Sequence, residues 1–326
     1  MTSLSSAEST IDPSLDLFEE IERLKHERNA IILAHYYQDP DLQDIADVLG
    51  DSLVLAQAAK KAKDKDIILF LGVHFMAETA KILCPDKTVI LPDLEAGCSL
   101  ADACPAEKLA AWRRENPDHV VITYINSTAA TKAESDWICT SSNALKIVKQ
   151  VPTNQPILFA PDRNLGAWLS KELDRPMDYW PGSCIVHETF SERKIIALKA
   201  QHENVEFIAH PECESHVLRH ADFVGSTSKL LERVQTSPAQ TFIVGTEIGI
   251  LHEMRKRSPD KTLLEAPIDQ RELEDGSCGC QECPFMKLNT LEKTYLALRD
   301  LRPQIHVDPE LRKRALLPLE RMLQVS

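Results

Sequence analysis

The sequence predicts an α/β protein of three small α/β sandwich domains arranged around a shared central site. Three observations carry this prediction. Apolar runs of strand length alternate with helical stretches, one layout of strand, polar tip and helix start recurs three times, and a cysteine in a turn-rich loop closes each repeat. Alternating strands and helices imply parallel sheets covered by helices. In such sheets ligands gather at the carboxyl ends of strands and at helix N-termini.

The first repeat opens with a β-like run at 30–34, tipped by His35, Tyr36 and Tyr37. A helical stretch leads to Gly50, Asp51 and Ser52, and a helix is predicted over 53–62. A strand at 67–73 is tipped by His74, Phe75 and Met76; a second helix, a strand at 88–91 and the loop at Cys98 end the unit. In the second repeat a strand at 120–123 is tipped by Tyr124, Ile125 and Asn126, and residues 136–142 lead into a helix through Lys149. A strand at 157–160 is tipped by residues 161–164, and the unit ends at Cys184. The third has a strand at 205–209 tipped by His210, Pro211 and Glu212, a helix from Thr227 through Arg233, and a strand at 242–244 tipped by Gly245, Thr246 and Glu247. It runs out toward Cys283.

The register argues for a genuine repeat. His35 to Ser52, Tyr124 to Ser141 and His210 to Thr227 each span 17 residues. One such interval is simply the length of a βα unit; three agreeing intervals, each closed by a cysteine loop, need a further cause. A chain of 326 residues also exceeds the size at which one core keeps growing. The expected division is a disordered or weakly ordered tail over 1–20, domains at 21–107, 108–195 and 196–286, and a stretch at 287–326 packing back on the first domain. The basic, Leu-rich helix at 311–323 is expected to be that packing element.

The first residues are rich in Ser, Thr and acids and lack the basic and apolar regions of a signal peptide, so a cytoplasmic location is expected. No apolar run approaches the ~20 residues that span a bilayer. A net charge of −13 without a basic stripe argues against nucleic acid as partner. It leaves small anions open, because a local pocket can be positive on an acidic protein.

Nine cysteines, an odd and scattered set, do not make a disulfide scaffold. Cys98, Cys184 and Cys283 sit in the contexts Ala-Gly-Cys-Ser, Gly-Ser-Cys-Ile and Glu-Cys-Pro-Phe, which suit loops around an iron–sulfur cluster. Three thiolates would leave a fourth position open for Lewis-acid chemistry, whereas full ligation would suit electron transfer. The run Cys278-Gly-Cys280-Gln-Glu-Cys283 also admits a zinc site or a redox-active thiol pair, although its spacing is not the usual pair of zinc knuckles. Cys84, Cys104, Cys139 and Cys213 read as buried structural thiols.

The strings AHYYQ (34–38), GDSLVLAQAA (50–59), AGCSLAD (96–102), YINS (124–127), CTSSNA (139–144), PGSCIVHE (181–188), HPEC (210–213), VGTEIGILH (244–252) and CPFMKLNT (283–290) closely resemble the quinolinate synthase family. The matches run in order over nearly the whole chain. The resemblance implies a pseudo-threefold α/β fold and a 4Fe–4S cluster with one cysteine from each domain, Cys98, Cys184 and Cys283, and one open iron. The implied transferase reaction condenses iminoaspartate with dihydroxyacetone phosphate to quinolinate, with loss of phosphate and water, in NAD biosynthesis. A functional link to an iminoaspartate-producing enzyme is implied with it.

Carried over by residue, the resemblance gives Tyr37, His210 and Glu212 as the catalytic groups. His35, Ser52, Tyr124, Asn126, Ser141, His187 and Thr227 contact substrate. Ser52, Ser141 and Thr227 are each expected to open a helix, where free N–H groups favour anions; plain N-capping is the competing reading. A carboxylate and an imidazole suit the proton transfers of imine condensation and dehydration. Tyr36 receives no role. Where family members show C-x-x-C-x-x-C this chain has C-x-C-x-x-C, so Cys278 and Cys280 are left unassigned; a disulfide between them would be strained. Two other readings stand beside the family one: a three-domain radical S-adenosylmethionine enzyme, and a non-enzymatic iron–sulfur redox sensor.

Overall fold

In a computed structural model, which describes residues 11–269 and 281–325, three four-stranded sheets are flanked by helices. The first holds β1 (Ala30–His35), β2 (Val48–Gly50), β3 (Ile67–Leu71) and β4 (Thr88–Ile90) in the order β2-β1-β3-β4. The second, from β5 (Val120–Tyr124), β6 (Trp137–Cys139), β7 (Ile157–Ala160) and β8 (Asp178–Tyr179), has the order β6-β5-β7-β8. The third, from β9 (Val205–Ala209), β10 (Phe223–Val224), β11 (Thr241–Gly245) and β12 (Thr262–Glu265), has the order β10-β9-β11-β12. Every pairing is parallel, so all three sheets share one topology.

A bracket of aspartates shows how closely the units repeat. Asp47, Asp136 and Asp222 each accept a hydrogen bond from the backbone N–H 15 residues earlier, at Ile32, Val121 and Phe207, over 2.8, 2.8 and 2.7 Å. Each also pairs with a base on the preceding helix: Lys25 at 2.9 Å, Arg113 at 3.0 Å and Lys199 at 2.7 Å. The same carboxylate thus ties the central strand, the short second strand and a covering helix together three times.

The central strands β3 and β7 are apolar along their length and buried on both faces, as parallel sheets under helices require. One continuous core joins the first two units, running from Leu33, Ile68 and Phe70 to Ile122, Phe159 and Leu165. The third unit has its own layers around Phe242 and Phe207, and Tyr36 crosses from the first unit to pack into the Phe242 layer.

Several expectations change. The strands β2, β6 and β10 are only two or three residues long and carry too little pattern to be read; residues 137–139, expected to lead into a helix, are a strand. Residues 11–20, expected within a weakly ordered tail, are packed: Ile11, Leu15 and Leu17 lie against Ile21 and Leu24, and a helix begins at Leu17, capped by Asp16. The two C-terminal helices part company. Leu291–Asp300 lies on helix Leu17–Glu27 of the first unit, but Pro309–Gln324, expected on that unit too, packs chiefly on helix Ala129–Ala133 and β6 of the second. There Arg321 donates to the Asp136 carbonyl at 2.7 Å.

Candidate functional site

The carboxyl ends of the central strands converge on one cavity. Its wall includes His35, Tyr37, Ser52 and Cys98 from the first unit, Tyr124, Asn126, Ser141, Cys184 and His187 from the second, and His210, Glu212, Thr227 and Cys283 from the third unit and the loop after it. Every side chain expected from sequence to act on substrate or metal therefore lines the same space. No lysine or arginine is among the described residues that line it. Negative oxygens there must be held by hydroxyls, imidazoles, backbone N–H groups and helix N-termini.

Glu212 lies at the centre of the polar network and is buried. Tyr124 donates to its Oε1 at 2.6 Å, and Nδ1 of His187 lies 3.0 Å from its Oε2. Burial works to raise its pKa, but the neighbouring imidazoles and the Tyr124 donor outweigh that and bring it down to about 2. His210 is held neutral: burial pushes its pKa down to about 3. Its Nδ1 accepts from the Glu212 backbone N–H at 3.4 Å, which puts the ring proton on Nε2, 3.2 Å from Oγ of Ser141. Burial likewise lowers His35 to about 4.

A second chain runs from Tyr37. Its hydroxyl lies 2.9 Å from Oγ1 of Thr227 and 2.6 Å from Oγ1 of Thr246, and Thr246 lies 3.0 Å from Nε2 of His187. Tyr37, Thr246, His187, Glu212 and Tyr124 form an uninterrupted series of polar contacts across all three units. Burial raises the Tyr37 phenol well above its ordinary value, so it is neutral at physiological pH.

The hydroxyls of Ser52, Ser141 and Thr227 are not helix caps. Asp51 caps Ser52–Lys61 and Ser226 caps Thr227–Thr236, so Ser52 and Thr227 occupy the first helical turn. Ser141 does not open a helix: helix Ala144–Val148 begins three residues later, and Ser141 lies in the turn before it.

The three cysteines are free thiols on one wall and close enough to feel one another's charge. Burial pushes Cys98 up to about 12, Cys283 up to about 11, and Cys184 well above its ordinary value. Three soft donors whose thiolates lack a compensating cation suit an iron- or metal-bearing group, which would supply that positive charge. Cys184, His187 and Glu212 are also a compact donor set, with ligand atoms within 4.8 Å of one another. Cys84, Cys104, Cys139 and Cys213 are buried. Cys278 and Cys280 lie outside the described residues.

A family model described as quinolinate synthetase A protein matches residues 19–324. The quinolinate synthase of Trichormus variabilis is 58% identical over 312 residues, covering 96% of this chain and 94% of its own. That of Thermosynechococcus vestitus is 59% identical, covering 96% of both chains, and that of Chloroherpeton thalassium 56% identical, covering 99% of this chain and all of its own. The chain belongs to the quinolinate synthase family. It is an enzyme with quinolinate synthase function in NAD biosynthesis, and neither the radical-enzyme nor the sensor reading is supported. Among the described residues no helix is long and apolar enough to cross a membrane.

For a quinolinate synthase site, sequence reasoning passed over several residues. Thr246 and Glu247 were visible as a strand tip but received no role. Glu247 is buried, which pushes its pKa up to about 8, and it accepts from the backbone N–H of Gly249 at 2.7 Å and of Cys283 at 3.3 Å. Asp51, Phe75 and Phe285 also line the cavity. The structural bracket of Asp47, Asp136 and Asp222 had a readable signal, since each lies 12 residues after His35, Tyr124 and His210.

Proposed function

We propose that the chain condenses iminoaspartate with dihydroxyacetone phosphate to give quinolinate, phosphate and water, with a 4Fe–4S cluster on Cys98, Cys184 and Cys283. The observation that carries this reading is the convergence of one cysteine and one hydroxyl anchor from each repeat on a cavity that has no lysine or arginine among the described residues lining it. When bound, a cluster with an open iron supplies a Lewis acid for a hydroxyl or carboxylate oxygen.

The chain's own residues do the rest. Ser52, Ser141 and Thr227 hold the phosphate and carboxylate oxygens, helped by the positive N-terminal ends of helices Ser52–Lys61 and Thr227–Thr236. Tyr124 and Asn126 orient the condensing carbon chain, and His35 packs its ring edge-on to Tyr37 at 4.5 Å. Glu212, ionised at neutral pH, takes protons from carbon, and neutral His210 gives one from Nε2. Tyr37 exchanges a proton with His187 through the hydroxyl of Thr246, so the phenol can donate and be recharged without solvent. A cytoplasmic location and a supply of iminoaspartate from an amino-acid-oxidising enzyme belong to the same reading.

The test is anaerobic metal and sulfide analysis with turnover. Wild-type protein should carry about four irons per chain, and Cys184→Ala should lose both iron and activity. A Cys184→Ala protein with full iron and full turnover would overturn the ligand set.

A further inference from the structure

We propose that Ser142 is a positioning residue that locks the three anion anchors into one register. Its Oγ lies 2.7 Å from Oδ2 of Asp51 and 2.8 Å from Oγ of Ser226. Asp51 belongs to the first unit, Ser142 to the second and Ser226 to the third, so one hydroxyl joins all three where no covalent connection does. Each member adjoins an anchor: Asp51 precedes Ser52, Ser226 precedes Thr227, and Ser142 follows Ser141.

The polarity of the network is determined. Oδ1 of Asp51 accepts from the N–H groups of Leu53 and Val54, both at 3.1 Å, leaving Oδ2 for Ser142. Ser142 has one proton, which goes to the carboxylate; its lone pair takes the Ser226 proton, and Ser226 accepts from the Lys229 N–H at 3.4 Å. Asp51 and Ser226 are 5% and 1% exposed and Ser142 between them is half-buried, and a charge-assisted chain with buried ends is stronger than its surface counterpart. Removing Ser142 uncouples the N-terminus of helix Ser52–Lys61 from that of Thr227–Thr236. The anchors keep their chemistry and lose their mutual spacing.

The inference rests on the reading that Ser52, Ser141 and Thr227 hold anionic oxygens, so the test separates the two. Steady-state kinetics and iron content are measured anaerobically for the wild type, Ser142→Ala, Ser142→Thr and Ser52→Ala. Ser142→Ala should raise KM for the phosphate-bearing substrate about tenfold, with kcat and iron content unchanged, and Ser142→Thr, which keeps the hydroxyl, should restore it. An unchanged KM in Ser142→Ala beside a raised KM in Ser52→Ala overturns this inference and leaves the proposed function standing. An unchanged KM in both overturns the anchor reading and the inference with it. Ser226→Ala removes the second link of the chain and carries the same expectation and the same refutation if Ser142→Ala yields no folded protein.

Discussion

Gly182→Ala should unseat Cys184 and lower both melting temperature and iron content. A methyl group added at Gly182 would lie 2.6 Å from the Pro161 carbonyl oxygen and 2.9 Å from Cβ of Ala103, which belongs to the first unit. Carbon–oxygen contacts settle at about 3.3 Å or more, so the loop must retreat by roughly 0.7 Å. It is not free to do so, because Gly182 bridges Asp162 and its carbonyl accepts from the Arg163 N–H at 2.9 Å. Overpacking of this kind costs about 1–3 kcal/mol, or for a chain of 326 residues a melting point lower by about 1–4 °C. A ligand group must also keep its place to within about 0.5 Å, so the thiol two residues on falls out of register. Gly97→Ala is the control: it also precedes a proposed ligand, yet its added methyl would meet the Phe285 ring at 3.6 Å, an ordinary contact. Anaerobic iron analysis and thermal melts of the two variants decide the matter. A Gly182→Ala protein with wild-type melting and full iron would refute the reasoning.

Tyr124→Phe removes the 2.6 Å donor from the buried Glu212 carboxylate. A hydrogen bond to a charged group is worth about 1.5–3 kcal/mol, so kcat/KM should fall about ten- to a hundredfold with iron content unchanged; steady-state kinetics showing wild-type kcat/KM would count against the assigned network. Lys132, buried on helix Ala129–Ala133 over the Phe75 ring and bonded to the Ser127 carbonyl, has its pKa pushed down by burial to about 8. Between about pH 8 and 10.5 the unfolded chain holds this proton and the folded chain does not, so folding gains from rising pH. Denaturant melts should show wild-type stability growing relative to Lys132→Met by about 1.4 kcal/mol per pH unit over that window; a flat or falling difference contradicts it.

What the sequence made legible was local and periodic. Strands such as β7 and β9 are apolar runs followed by polar tips, and the spacing from tip to helix start places the hydroxyls of Ser52, Ser141 and Thr227 on one cavity whether or not each opens a helix. What it concealed depended on other units. The strands β2, β6 and β10 exist because a longer neighbour templates two or three residues, a pairing too short to leave a periodic trace. Helix Pro309–Gln324 has an apolar stripe that says it packs, but not on which unit. The contacts that Thr246, Asp51 and Ser142 make across unit boundaries span sequence separations of 209, 91 and 84 residues. No motif of a single segment encodes such partners.

The charge state of the cavity follows from that same dispersal. With no lysine or arginine among the described residues that line it, the charge of a buried carboxylate there depends largely on the hydrogen bonds its neighbours can aim at it. Glu247 has the Lys287 ammonium 3.7 Å from Oε1 and receives two backbone N–H groups, not enough against its burial, and its pKa rises to about 8. Asp162, which does not line the cavity, faces both burial and the charge of Glu212, and rises well above the ordinary range. Glu212 has a tyrosine donor and two imidazoles from two units, and it alone of the three is held ionised. Glu212 thus keeps its charge beside two carboxyls that burial holds neutral, the arrangement the proposed proton abstraction requires. In the proposed reaction neutral His35 and His210 complete the scheme, attracting anions through directed N–H groups and not through net charge. Attraction of that kind depends on geometry, so the network tying the three units together governs substrate affinity as directly as the residues that touch the substrate.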